Sequence, residues 1–365
     1  MTDARARFVV GIDLGTTNTV VALAPADGSA APRVLDLAQL VTTGEIEARP
    51  LLPSALHAAL PGEALADPWG DAPWCVGELA RRRGVDVPGR LVASHKSWLS
   101  YARVDRTAPI LPWGADEDAT DLPRLSPVGA ATRVLSHVRA AFDAALPDAP
   151  LAAQHVVLTV PASFDDVARE LTLDAATRAG LTVRLLEEPQ AAFYDYLGRA
   201  APADMQSLAD GAGGEALVLV CDVGGGTTDL SLFKVRRSAG ARPFEVERAA
   251  VGHHLLLGGD NMDLALAHGV EARLGQKLDH ARFSALVGAC RGAKERLLGD
   301  APPASVPIAI ASRGAALVGG TLRAELGKDE VERVVLDGFW PAAARDALPS
   351  RSRAALVSVG LPYER

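Results

Sequence analysis

The chain opens with an apolar run, Phe8 to Ile12, that ends at Asp13-Leu14-Gly15-Thr16-Thr17-Asn18, and a second run, Thr19 to Leu23, follows at once. Two short apolar runs joined by a glycine-bearing bend predict strand, tight turn, strand. Further on, Leu217 to Cys221 leads into Asp222-Val223-Gly224-Gly225-Gly226-Thr227-Thr228-Asp229, after which Leu230 to Val235 alternates apolar with polar. That pattern predicts a second hairpin. Aligning Asp13 with Asp222 pairs Gly with Gly and Thr-Thr with Thr-Thr, the second copy carrying two extra glycines. Such self-similarity at the scale of a domain reads as an internal duplication: two lobes, each offering one turn to a shared cleft.

Between the hairpins the period changes to that of helices. Ser126 and Pro127 suit an N-cap and first helical position, and Val128, Ala131, Val134, Leu135, Val138 and Phe142 then recur at helical spacing. His155 to Val160 reads as a strand, Asp165 to Ala179 as a helix closed by Gly180, Leu181 to Leu186 as a strand and Pro189 to Leu197 as a helix. This alternation predicts an α/β fold. The proline- and tryptophan-rich segment 49–75, and 109–127 with its Asp116-Glu117-Asp118 cluster, read as surface insertions, so the first lobe is expected over 1–198 with insertions at about 41–127. A Gly-, Ala- and Asp-rich stretch, 199–215, reads as a linker. The second lobe, 216–340, is expected to hold a strand near Phe244 to Val251, a turn at Gly258-Gly259, and helices at Asp260 to Leu274 and His280 to Leu298, with an irregular segment at 341–365.

At 365 residues and 48% hydrophobic content the chain can bury the cores of two domains. Its formal charge of -8 gives the surface no general attraction to nucleic acid or anionic lipid. Cys75, Cys221 and Cys290 show no C-x-x-C spacing, which points to reduced thiols rather than a zinc site or disulfide framework. No uncharged apolar run approaches membrane-spanning length. A soluble cytoplasmic protein is expected, with neither nucleic acid nor membrane as a partner.

The two turns carry the candidate chemistry. Polyphosphates need backbone N–H donors at close range and a metal with hard oxygen ligands. Gly15, Gly224, Gly225 and Gly226 let the main chain approach phosphate oxygens with no Cβ in the way, and the threonine hydroxyls add donors. Asp13 and Asp222, each at a strand end, can hold Mg²⁺ directly or through its waters.

Five segments then occur in one order: Gly11 to Asn18, Leu158 to Asp166 (LTVPASFDD), Leu185 to Ala192 (LLEEPQAA), Cys221 to Ser231 (CDVGGGTTDLS) and Cys290 to Leu297 (CRGAKERL). Together they resemble consecutive signatures of the ATPase domain of the heat-shock protein 70 (DnaK-like) chaperones. The resemblance implies an actin-like ATPase fold, duplicated ribonuclease H-like lobes flanking a nucleotide cleft, and hydrolysis of ATP to ADP with Mg²⁺. It assigns Gly15, Thr16, Thr17, Asn18, Gly224, Gly225, Gly226, Thr227 and Thr228 to the nucleotide and Lys294 to an adenosine contact. Asp13, Glu188 and Asp222 fall to the metal and attacking water, and Lys96, in Ser94-His95-Lys96-Ser97-Trp98-Leu99, to the family's catalytic lysine; Thr227 completes the catalytic set. The positions matching Pro161 and Arg169 form, in the family, a relay to a peptide-binding domain, so client polypeptide and co-chaperones are expected to act through regions outside this chain.

The chain also departs from the family. Arg291 stands where an acidic residue is common and Leu298 where a serine is common, so an altered adenine site is expected. Fewer residues follow Asp222 than separate the two turns, and no apolar strand followed by Gly-Gly-x-x-Arg-x-Pro occurs after residue 300. The second lobe is therefore expected to be incomplete, the chain to be a piece of a longer, divergent bacterial member with a long C-terminal region, and ATP binding by it to be weak. His253-His254 lack a third ligand at suitable spacing and read as structural. Two rivals remain: a carbohydrate kinase of the same superfamily, which needs a catalytic aspartate for which Asp229 is the one candidate, and a non-hydrolysing nucleotide sensor or filament former.

Overall fold

A computed structural model describes residues 6–65, 67, 69, 73–101, 103–113, 115, 120–199, 213–238, 244–252, 255, 257–311 and 321–347. It is a mixed α/β structure. The first sheet forms from β1 (Phe8–Leu14), β2 (Asn18–Pro25), the short β3 (Arg33–Val34), β10 (His155–Val160) and β11 (Val183–Glu187) in the order β11-β10-β1-β2-β3. β1 runs antiparallel to β2 and parallel to β10, and β10 runs parallel to β11. Period-2 alternation in β1 puts Val10, Ile12 and Leu14 on the buried face.

Helices cover that face. α3 (Pro127–Ala145) starts as its sequence predicts: Ser126 Oγ accepts from the Gly129 amide and Pro127 opens the first turn. Its apolar stripe, Val134, Leu135, Val138 and Phe142, is wholly buried against the sheet. α4 (Asp166–Arg178) is capped by Asp165, which accepts from the Ala168 amide at 2.7 Å and holds the Arg106 guanidinium through both carboxylate oxygens at 3.0 and 2.9 Å. Gly180, at φ 75°, ends the helix. The strand expected from Leu181 begins instead at Val183, because Leu181 is buried and its amide still closes back on the Ala176 carbonyl.

Residues 52–59 correct the reading of 49–75 as a surface insertion. β6 (Leu52–Pro53) pairs with β2, and β7 (Leu56–Ala58) pairs with β8 (Trp74–Val76) and β9 (Leu91–Val92), all largely buried. Pro53, one of the prolines that suggested a loop, lies in a two-residue edge strand, where a missing ladder N–H is tolerated. Helix α1 (Glu78–Asp86) packs on this small sheet and on the hairpin β4 (Leu37–Thr42) and β5 (Glu45–Arg49). In 109–127, Leu111 and Leu122 are buried, while the acidic cluster at 116–118 falls outside the described residues, as do most of the expected linker and everything after 347.

α5 (Glu188–Arg199) leaves the end of β11 and packs on a second sheet, where Phe193 stacks on Phe233 with ring centroids 4.8 Å apart. That sheet is antiparallel, β12 (Glu215–Val223), β13 (Thr228–Arg237) and β14 (Phe244–Val251). On β12, Leu217 and Leu219 stay 59% and 61% exposed, so no described residue covers them. A separate core joins α6 (Gly259–Leu274), α7 (His280–Leu297) and a hairpin that the sequence reading missed, β15 (Ser305–Ala311) with β16 (Thr321–Gly327). A short helix, Lys328–Glu332, seals it with Val331.

Candidate active site

Each hairpin turn is shaped by close approach of backbone. Between β1 and β2, a Cβ on Gly15 would overlap the Asn18 carbonyl oxygen, so glycine closes that bend. Between β12 and β13, the Gly224 amide donates to the Thr227 carbonyl at 2.8 Å. The two turns meet. A Cβ on Gly225 would run into the Thr17 side chain, and one on Gly226 would lie 3.0 Å from Ser97 Oγ and 3.1 Å from Thr16 Cγ2. Residues separated by a domain's length of chain thus face each other across one site.

The start of α6 holds the second turn from behind. Gly259 N donates to Gly224 O at 3.1 Å and Asp260 N to Gly225 O at 2.7 Å, while a Cβ on Gly258 would sit 2.6 Å from Gly225 O. Thr228 serves the same support: its hydroxyl donates to the Leu257 carbonyl at 2.7 Å, not toward the first turn. Asn18 opens β2 opposite Pro53. Lys294, on α7, donates to the Gly259 carbonyl at 3.1 Å and pairs with Asp263 at 2.7 Å, so its ammonium lies beside the second turn but is already engaged.

Lys96 lies on α2 (His95–Ser100), 5% exposed, in an ion pair with Glu188, the first residue of α5. Burial alone would pull its ammonium down, but Glu188, Asp13 and Asp222 outweigh that and raise it, so Lys96 is charged. Burial raises Glu188 above the usual carboxylate range; Lys96 opposes the shift, and Asp13 and Asp222 add to it. Asp222 is raised by burial and by the like charges of Asp229 and Asp13, with Lys96 opposing. Asp13 accepts from Thr159 Oγ1 at 2.7 Å.

Three carboxylates around one ammonium leave an excess of negative charge that suits a divalent cation. Among the described residues no three His, Cys, Asp or Glu side chains form a ready-made metal cage. The oxygens of the three carboxylates are hard donors of the kind that suit Mg²⁺, an ion that keeps much of its water shell. The buried Ser97 hydroxyl next to Gly226 has no hydrogen-bond partner among the described residues, a donor that a phosphate oxygen would satisfy. Sequence reasoning quoted Ser97 and Thr159 without giving either a role, and nothing local marks them. His253-His254 fall outside the described residues. Cys75 and Cys290 are buried with thiols pushed up to about 12 by burial, and Cys221 is exposed and free.

The raised Asp222 carboxyl has a measurable consequence. The folded protein holds that proton more tightly than the unfolded chain, so the group favours folding at low pH and penalises it as pH rises through its elevated value. Asp222→Asn is expected to raise the melting temperature of the nucleotide-free protein near neutral pH. Below the ordinary carboxyl value of 3.8, where both states are protonated, the gain should disappear. Equal melting temperatures near neutral pH would contradict this account.

A family model described as "Hsp70 protein" matches residues 75–336. The structure is a mixed α/β one, and the chain belongs to the Hsp70 family. It is 34% identical over 319 residues to the chaperone protein HscA of Pectobacterium carotovorum, covering 83% of this chain and 44% of that protein. It is 35% identical over 308 residues to an HscA homolog of Pseudomonas aeruginosa, covering 81% and 43%. The chain spans less than half the length of these relatives.

Proposed function

We propose that this chain is the actin-like nucleotide-binding unit of an Hsp70-type chaperone, with two lobes related by duplication, and that it binds Mg-ATP between its two glycine turns and hydrolyses it. The observation that carries this reading is the buried Lys96–Glu188 ion pair, close to both Asp13 and Asp222 where the two turns converge.

The main-chain amides of Gly15, Thr16 and Thr17 and of Gly225 to Thr227 would hold the phosphates, with the Thr16, Thr17 and Ser97 hydroxyls adding donors and the Gly224 amide closing the second turn. Mg²⁺, when bound, would neutralise charge developing on the transferred phosphoryl group. Asp13 and Asp222 would hold its water shell, and Thr159 would keep Asp13 turned toward it. Lys96 would place its ammonium against the γ-phosphoryl oxygens, and Glu188 would orient the attacking water. Phosphoryl transfer needs positioning and charge stabilisation more than covalent help, which matches a site made of amides, one cation and carboxylates. Arg169 donates to Glu187 at 2.9 Å, and Glu187 also pairs with Arg248 of β14; this supports Arg169 as the start of a relay to other regions of the protein. Client and co-chaperone binding belong to such regions, and a cytoplasmic setting is part of the same proposal. No helix among the described residues is long and apolar enough to cross a membrane.

The test is titration calorimetry with Mg-ATP together with release of inorganic phosphate. Saturable binding weaker than micromolar, and turnover that requires Mg²⁺ and is indifferent to added sugars, are expected. Turnover that depends on a sugar would favour the kinase reading, with the buried Asp229 as its base, and binding without turnover would favour a sensor.

A further inference from the structure

Ser94, the residue that precedes α2, has φ 52°, and among the described residues no other non-glycine has a positive φ. A buried serine held in the left-handed region is strained, and such strain persists where the surroundings impose it, commonly at functional sites. Serine at a helix N-cap ordinarily accepts a bond from the first turn, yet α2 receives none. Instead Ser94 Oγ donates to Asp260 Oδ2 at 2.8 Å, joining residues 166 positions apart. Asp260 is bound at both ends. Its amide donates to the Gly225 carbonyl of the second turn at 2.7 Å, and its Oδ1 accepts from Arg291 Nη2 at 2.5 Å. Arg291 also donates through Nε to Asp263 Oδ2 at 2.8 Å.

Asp260 and Asp263 are 4% and 0% exposed, and buried carboxylates need paired charge. Lys294 serves Asp263; Arg291 serves both. An acidic residue at 291 would add a third carboxylate and remove the cation that pairs with Asp260 opposite Ser94. The departure at Arg291 and the strained Ser94 therefore belong to one device.

We infer that Ser94, Asp260 and Arg291 form a strut that fixes Lys96, two residues along from Ser94, against the second glycine turn, making Ser94 and Arg291 positioning residues for hydrolysis. The strut rests on the hydrolytic reading above. It acts through Lys96 and touches no substrate, so its loss should appear in kcat and not in nucleotide affinity.

The experiment compares ATP hydrolysis by the full chain and by Ser94→Gly, which removes the hydroxyl while relieving the backbone. Expected is a fall in kcat of about tenfold, with KM unchanged and the melting temperature held or raised. Ser94→Asn tolerates the left-handed region and can donate to Asp260, so it should recover most of the rate. Arg291→Glu should slow the reaction similarly, and the double variant Ser94→Gly/Arg291→Glu should be no slower than the slower single one, since both break one strut. A wild-type kcat in Ser94→Gly, or additive losses in the double variant, overturns the inference and leaves the proposed function standing. A wild-type protein with no turnover overturns the reading beneath it.

Discussion

Lys96→Ala lowers ATP turnover by about two to three orders of magnitude, the usual loss when one preorganised transition-state donor is removed, while nucleotide still binds. Lys96 is 5% exposed and is the cation that offsets Glu188, Asp13 and Asp222. Its ammonium is charged before any nucleotide arrives, so it needs no reorganisation during the reaction. Removing it leaves Glu188 buried without its partner, so the variant should also be less stable at neutral pH than at acid pH, where Glu188 is protonated. Phosphate release under saturating Mg-ATP, alongside titration calorimetry, separates the two effects. An unchanged rate would take Lys96 out of the mechanism.

Gly258→Val should abolish nucleotide binding. Gly258 has an extended backbone, φ -158°, that any residue can adopt, so conformational strain is not the reason for glycine here. Space is. An added Cβ would lie 2.6 Å from Gly225 O and 2.7 Å from Gly224 O, and both obstacles are backbone of the phosphate turn. The turn must move, breaking the Gly259 and Asp260 amide bonds to it. Overpacking of this kind costs about 1–3 kcal/mol, which should lower the melting temperature as well. Gly269→Ala, inside helix α6 with its nearest atom 3.8 Å away, is the control and should lower neither. Wild-type affinity for Mg-ATP in Gly258→Val would mean that the second turn does not need its present position.

The legible parts of this protein are those specified over short distances. Both hairpins were readable because β-alternation and a glycine bend lie within about twenty residues. α3 was readable because Ser126, Pro127 and an unbroken apolar stripe coincide, and the cap geometry follows from those residues alone. Misreadings arose where a residue's meaning depended on its neighbours in space. The prolines of 49–75 suggested a surface loop, yet Pro53 pairs with β2 and Leu52, Leu56 and Ala58 are fully buried, since an edge strand tolerates a missing N–H. β15 and β16 went unnoticed because Pro307 interrupts a short apolar run whose partner strand is several residues away.

The sequence by itself determined the repeated Asp-Gly-Thr turns, the alternation of strand and helix, and the family resemblance that rests on them. Only the tertiary structure decided that Lys96 meets Glu188, 92 positions away, that Ser94 reaches Asp260, and that Arg291 is bound between two aspartates instead of lying open to a ligand. The reason is physical. A turn or a helix is set by bonds among residues a few positions apart, and their identities are written side by side. Pairing of buried charges depends on which groups the packed sheets and helices bring together away from water, and local periodicity carries no record of that.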